Sequence, residues 1–146
     1  MNYTDMEYFN LTQKDRRDAT AKRERPGPTL EQIRHVIALM PQTSTIERRN
    51  CALLAFALLT GARDSAMASF KIKHLDMEAG SVFQDAREVK TKASKTFNTY
   101  FFPVGDDTLA IVREWVEFLQ SELLFGLNDP LFPKTAVKPN ASRVFE

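Results

Sequence analysis

The stretch "CALLAFALLTGARDSAMASF", residues 51–70, decides how the chain is read: an almost unbroken apolar run, then a glycine, then the single cation Arg63. The apolar residues from Cys51 to Leu59 leave no polar face, so the helix that carries them belongs in the middle of a core. Gly61 supplies the left-handed residue on which such a helix ends. Arg63 then projects from a buried support. A guanidinium held this way is always charged and presents a planar fork of donors that matches two oxygens of a phosphate. Taken by itself, the same arginine is more simply explained as the partner of a nearby acid such as Asp64 or Asp76, at a helix end.

Working outward, the helix starts at Ser44 or Thr45 and runs through "IERRNCALLAFALLT". Upstream, Thr29 precedes "LEQIRHVIALMP", where Leu30, Ile33, Val36, Ile37 and Met40 fall on one helical face, Thr29 with Gln32 forms a capping box, and Pro41 stops the helix. Downstream, "DSAMASF" makes a short helical turn. "SVFQDAREVKTKASKTFNTYFFPV" predicts a hairpin with strands near 82–90 and 97–104 and its basic residues at the turn, and "KIKHLDMEAG" offers a further short strand before it. A third long helix follows in "DDTLAIVREWVEFLQSELL", with Asp106 and Asp107 placed to cap it. "NDPLFPKTAVKPN" reads as proline-punctuated loop, and "ASRVFE" begins a helix. The fold class is therefore mainly α with a small antiparallel sheet, α+β; without a βαβ alternation it is not doubly wound.

A chain of 146 residues, 43% hydrophobic and 27% charged, has the length and composition of one globular domain. Residues 1–26, polar and ending at "RPGP", read as an arm or interdomain linker, with the domain proper at 27–146. The longest apolar run has nine residues, too few for a bilayer, and the N-terminus has no basic region ahead of an apolar one. These features predict no membrane association and a cytoplasmic location, and Cys51 is expected to be a small core residue. Net charge is +1, but its distribution is uneven. Residues 14–25 hold six Lys or Arg against three acids and residues 87–95 four against one, whereas residues 105–129 hold six acids against one Arg. Such asymmetry orients a domain on a polyanion, and it is also what a solvated surface carries. One Cys and two His leave no zinc spacing, and no phosphate-binding glycine motif or nucleophile elbow occurs. His35 reads as a helix-surface or half-buried residue and His74 as part of a polar turn.

"LLTGARDSAMASFKIKHLDM" followed by the basic hairpin "KTKASKTFNTYFFPV" and then "DPLFP" resembles the first half of the catalytic domain of the tyrosine recombinases, the phage-integrase family. The resemblance covers roughly residues 27–135. It implies that Arg63 is the first catalytic arginine. The hairpin lysine, eight residues before a proline, maps to Lys95, with Lys92 and Lys90 as weaker candidates. Lys90, Lys92, Arg87, Lys71 and Lys73 are then expected to contact DNA. The implied partner is double-stranded DNA, on which the intact protein assembles as a homo-oligomer. The implied reaction is attack of a tyrosine on a phosphodiester, giving a 3′-phosphotyrosyl link and a 5′-hydroxyl, with no metal and no cofactor. Arg63 would stabilise charge growing on the phosphate, and Lys95 would protonate the leaving oxygen.

Two departures accompany it. Ala66 stands where the family carries an acid three positions after the arginine, with Asp64 as the nearest substitute. The H-x-x-R box and the tyrosine fall beyond residue 146: His35 is followed three positions on by Ala38 and His74 by Met77, while Tyr3 and Tyr8 lie in the arm and Tyr100 in the hairpin. The chain alone is thus expected to bind DNA without cleaving it. A non-catalytic DNA-binding or protein-interaction helical module stands as the alternative.

Overall fold

The computed structural model describes residues 12–21 and 26–134. The proposed helix at "ASRVFE" and most of the 1–26 arm lie outside the described residues. Within that arm Gln13–Thr20 (α1) is a helix, where the polar, charge-dense composition predicts linker. It opens on a capping box between Thr12 and Asp15, which satisfies two of the otherwise free N–H groups at its start.

Local signals set the long helices. Leu30–Leu39 (α2) is capped as expected: Thr29 Oγ1 accepts from the Gln32 N–H at 3.2 Å and Gln32 Oε1 accepts from the Thr29 N–H at 2.9 Å. Thr45–Thr60 (α3) repeats the device with Ser44 and Glu47. It ends at Gly61, whose φ of +58° is the left-handed conformation that glycine adopts without penalty. After the single turn Asp64–Met67 (α4), the chain builds a three-stranded antiparallel sheet from Leu75–Asp76 (β1), Ser81–Gln84 (β2) and Phe97–Tyr100 (β3), in the order β1-β2-β3. Asp106–Ser121 (α5) follows. The architecture is α+β: helices around a small antiparallel sheet.

Both hairpin strands are shorter than the residue types suggest. At the end of β2 the backbone turns on itself, with the Val89 N–H donating to the Asp85 carbonyl at 2.7 Å, and Val89 is drawn into the core. At the end of β3 the Phe102 N–H leaves the ladder for the Leu59 carbonyl of α3, 2.7 Å away, and Pro103 has no N–H to offer. The caps proposed at Asp106 and Asp107 are also corrected. Gly105 occupies the cap position without a side-chain bond, and Asp107 instead accepts from Arg34 of α2 at 2.9 Å. Both acids still sit in the first turn, where the helix dipole favours them.

The core forms where α3 packs on α5, their most extensive contact, with the sheet laid against them. Cys51, Ala52, Ala55 and Phe56 on α3 are completely buried, as are Val112 and Leu119 on α5 and Val82 on β2. Phe56 meets Phe70 and Phe132 edge-on at 5.5 and 5.4 Å. The "DPLFP" segment is part of this packing. The Leu131 N–H donates to the Phe70 carbonyl at 2.9 Å, and the Trp115 indole N–H donates to the Leu131 carbonyl at 2.9 Å. Among the described residues no helix is long and apolar enough to cross a membrane.

Candidate functional site

Gly61 lies against Phe102, whose ring would be 3.1 Å from a Cβ added there, so a larger residue at the turn after α3 would have to displace that ring as well as adopt a positive φ. Two residues on, Arg63 takes an extended conformation and caps α4 through its backbone, its carbonyl accepting from the Met67 N–H at 2.8 Å. Its side chain is exposed. Among the described residues it has no ion pair and no side-chain hydrogen bond. Asp76, one of the two acids available to neutralise it, instead accepts from the backbone N–H groups of Glu78 and Ala79. Asp64 faces a different depression, beside Arg49 and Phe132.

Arg63 opens onto a cleft of about 160 Å³ between the end of α3, α4 and the β2–β3 hairpin. Lys90 and Phe97 line it from the hairpin side, and Thr60, Gln84 and Thr99 add polar groups. No lining residue is acidic. The wall is stiff: Gln84 Nε2 donates to Thr99 Oγ1 at 2.8 Å, and Thr60 Oγ1 donates to the Phe56 carbonyl at 2.8 Å while accepting from the Ala62 N–H. The Lys90 N–H donates to Ser69 Oγ at 2.9 Å, which ties the hairpin loop to the segment following α4. Thr91 Oγ1 is buried at the cleft without a partner among the described residues. A buried polar group left in that condition costs about 1–3 kcal/mol. Ala66, where the resemblance expects an acid, is a methyl packed into the core, 2% exposed.

The remaining candidates separate. Lys95 is exposed just past Ser94, which like Ala93 has positive φ, and it is not among the residues lining the cleft. Lys90, ranked behind it from sequence, shares the cleft with Arg63. The side chain of Lys92 lies outside the described residues. Arg87 closes on Asp85 through two bonds of 3.1 and 2.9 Å. This pairing holds the Asp85 carboxyl below its ordinary range and raises the guanidinium.

Lys71 and Lys73 belong to a cluster that sequence reasoning missed. Glu88 accepts from Lys73 at 2.8 Å, lies 3.0 Å from His74 Nε2 and 3.5 Å from the Lys71 ammonium. His74 is 4% exposed, against the polar-turn position expected of it, and its Nδ1 accepts from the Lys71 N–H at 3.0 Å. With Nδ1 accepting, Nε2 carries the proton and donates to Glu88. Burial holds the imidazole below its ordinary value, outweighing the carboxylate beside it, while the Lys73 hydrogen bond lowers Glu88. His74 and Glu88 are 14 residues apart, so no local spacing signals the pair. Among the described residues, no three His, Cys, Asp or Glu side chains gather as a metal site would require. His35 is exposed on α2.

No protein-family model matches the chain, and no curated protein sequence matches it.

Proposed function

We propose that the chain is the N-terminal portion of a tyrosine-recombinase catalytic domain, binding double-stranded DNA and supplying part of a site for strand cleavage and rejoining. The observation that carries this reading is Arg63: an exposed cation without a counter-ion among the described residues, held behind a glycine turn at the mouth of a cleft that it shares with Lys90 and whose lining has no acid. A cation pair without a carboxylate has unspent affinity for an anion, and phosphate matches the fork of the guanidinium. During attack on a phosphodiester the charge on the non-bridging oxygens grows, and a preorganised arginine lowers that barrier. A lysine of the hairpin protonates the leaving oxygen. Lys95 holds that role by resemblance and Lys90 by nearness to Arg63. The intact protein assembles as a homo-oligomer on DNA.

Titrating a fluorescent duplex with the chain at several salt concentrations tests the reading. Binding is expected to weaken steeply with salt, because phosphate contacts release counterions. Arg63→Ala is expected to weaken it by about 1.5–3 kcal/mol, roughly 10- to 100-fold, and to reduce the salt slope by about one. Affinity indifferent to salt, or to Arg63→Ala, overturns it. The chain alone is expected to leave a supercoiled plasmid intact; relaxation or a covalent protein–DNA adduct contradicts that part. A second reading, a non-catalytic interaction module, draws on Val36 and Leu39, which are 54% and 70% exposed on α2. It predicts that Arg63→Ala leaves DNA binding untouched.

A further inference from the structure

Phe97 pairs directly with Gln84, and Val82 with Thr99, so these four side chains project from one face of the hairpin. On that face Val82 is completely buried and Gln84 is 5% exposed, yet Phe97 keeps 43% of its surface open. It stands at the start of β3, where the sheet gives way to the cleft that Arg63 and Lys90 line. An apolar ring left in water forfeits the stabilisation that burial would bring, so a flat partner that covers it is favoured. The cleft therefore offers a ring beside two cations, with the unsatisfied Thr91 hydroxyl and the Gln84 amide close by. Cations select a phosphate, and an open ring selects the flat face of a base.

We infer that Phe97 is a stacking platform for an unpaired nucleobase next to the phosphate held by Arg63 and Lys90. The inference rests on the DNA-binding reading above. In a continuous duplex each base face is covered by its neighbours, so the ring engages only a base that has left the stack. The cleft then discriminates among DNA forms by whether a base is free, a property that phosphate contacts alone do not confer. A free base face is presented both by single strands and by a duplex with one unpaired nucleotide.

Anisotropy titrations with four labelled probes test this: a fully paired duplex, the same duplex with one unpaired thymine, the same duplex with an abasic residue at that position, and the single strand. The protein is expected to bind the unpaired-thymine duplex on the order of 10-fold more tightly than the paired one. Single-strand binding is expected to fall under Phe97→Ala by a similar factor. Phe97→Ala is expected to abolish the preference while keeping the paired-duplex affinity and its salt slope, and Phe97→Trp to restore it. Equal binding of paired and unpaired-thymine duplexes, an abasic duplex bound as tightly as the thymine one, or a uniform loss over all probes in Phe97→Ala overturns the inference. If salt-dependent duplex binding persists in those cases, the phosphate reading survives and only the platform falls. Absence of any salt-dependent binding overturns both.

Discussion

Two groups of cations lie about the β2–β3 hairpin, and their electrostatic states differ. In one, Lys71 and Lys73 converge with the buried His74 on the Glu88 carboxylate, and Arg87 nearby is closed on Asp85. In the other, Arg63 and Lys90 share a cleft whose lining contains no acid, although Lys90 also borders a second depression with Arg87 and Glu88. In the first group two ammonium groups share one carboxylate and Arg87 is matched by Asp85, whereas neither cation of the second is held by an acid; a cation already held by a carboxylate must break that pairing before it can serve an anion. The count of basic residues in a segment is therefore a poor guide to where an anion binds. Arg87 and Lys90, three residues apart in one basic run, fall on opposite sides of this division.

The comparison is broken most directly at Arg63. The 10- to 100-fold loss of duplex affinity expected for Arg63→Ala should come without a change in thermal midpoint, since its side chain supports nothing in the fold. Next in size is His74→Ala, where the effect should appear in stability. It opens a cavity, and it leaves the Lys71 N–H without its acceptor and Glu88 without one donor, a cost of about 2 kcal/mol in urea denaturation. An unchanged midpoint would mean that the cluster holds nothing together.

A smaller effect is spread over pH. His74 is held below its ordinary value of 6.5, so the folded state favours the neutral ring. Its contribution is complete above that value and is lost as pH falls from 6.5 through the lower folded value. Glu88, lowered from 4.5, acts in the same sense in a more acidic window. Urea midpoints measured against pH should fall across the first window, and His74→Gln should flatten that part of the curve. The smallest change is expected for Arg87→Ala. The Arg87 side chain is almost fully exposed, so its pair with Asp85 is screened by solvent and contributes little to folding, and duplex affinity should move by less than about threefold. A loss matching that of Arg63→Ala would erase the distinction between the two groups.

Much of the helical frame was legible in the sequence. Thr29 with Gln32, the start at Ser44 and the terminal Gly61 mark the ends of α2 and α3 where the structure has them, because caps are set by residues three or four apart. The hairpin was legible in kind and overestimated in length, since Val89 and Phe102 are taken by the core and by α3, which β propensity does not register. In the candidate site, the turn presenting Arg63 could be read from "TGAR". The resemblance favours Lys95, eight residues before Pro103, over Lys90, and in the structure Lys90 shares the cleft with Arg63. The burial of His74 could not be read at all.

The sequence by itself determined the central apolar helix, its glycine stop and the arginine behind it, because each depends on neighbours along the chain. Tertiary structure alone decided which cations are neutralised. Lys73 and Glu88 lie 15 residues apart and meet only through the antiparallel turn between β1 and β2, while Arg63 and Lys90 lie farther apart still and meet across the cleft. Charges separated in the chain are compensated or left open by how strands and loops are brought together, and that is a property of the packed core.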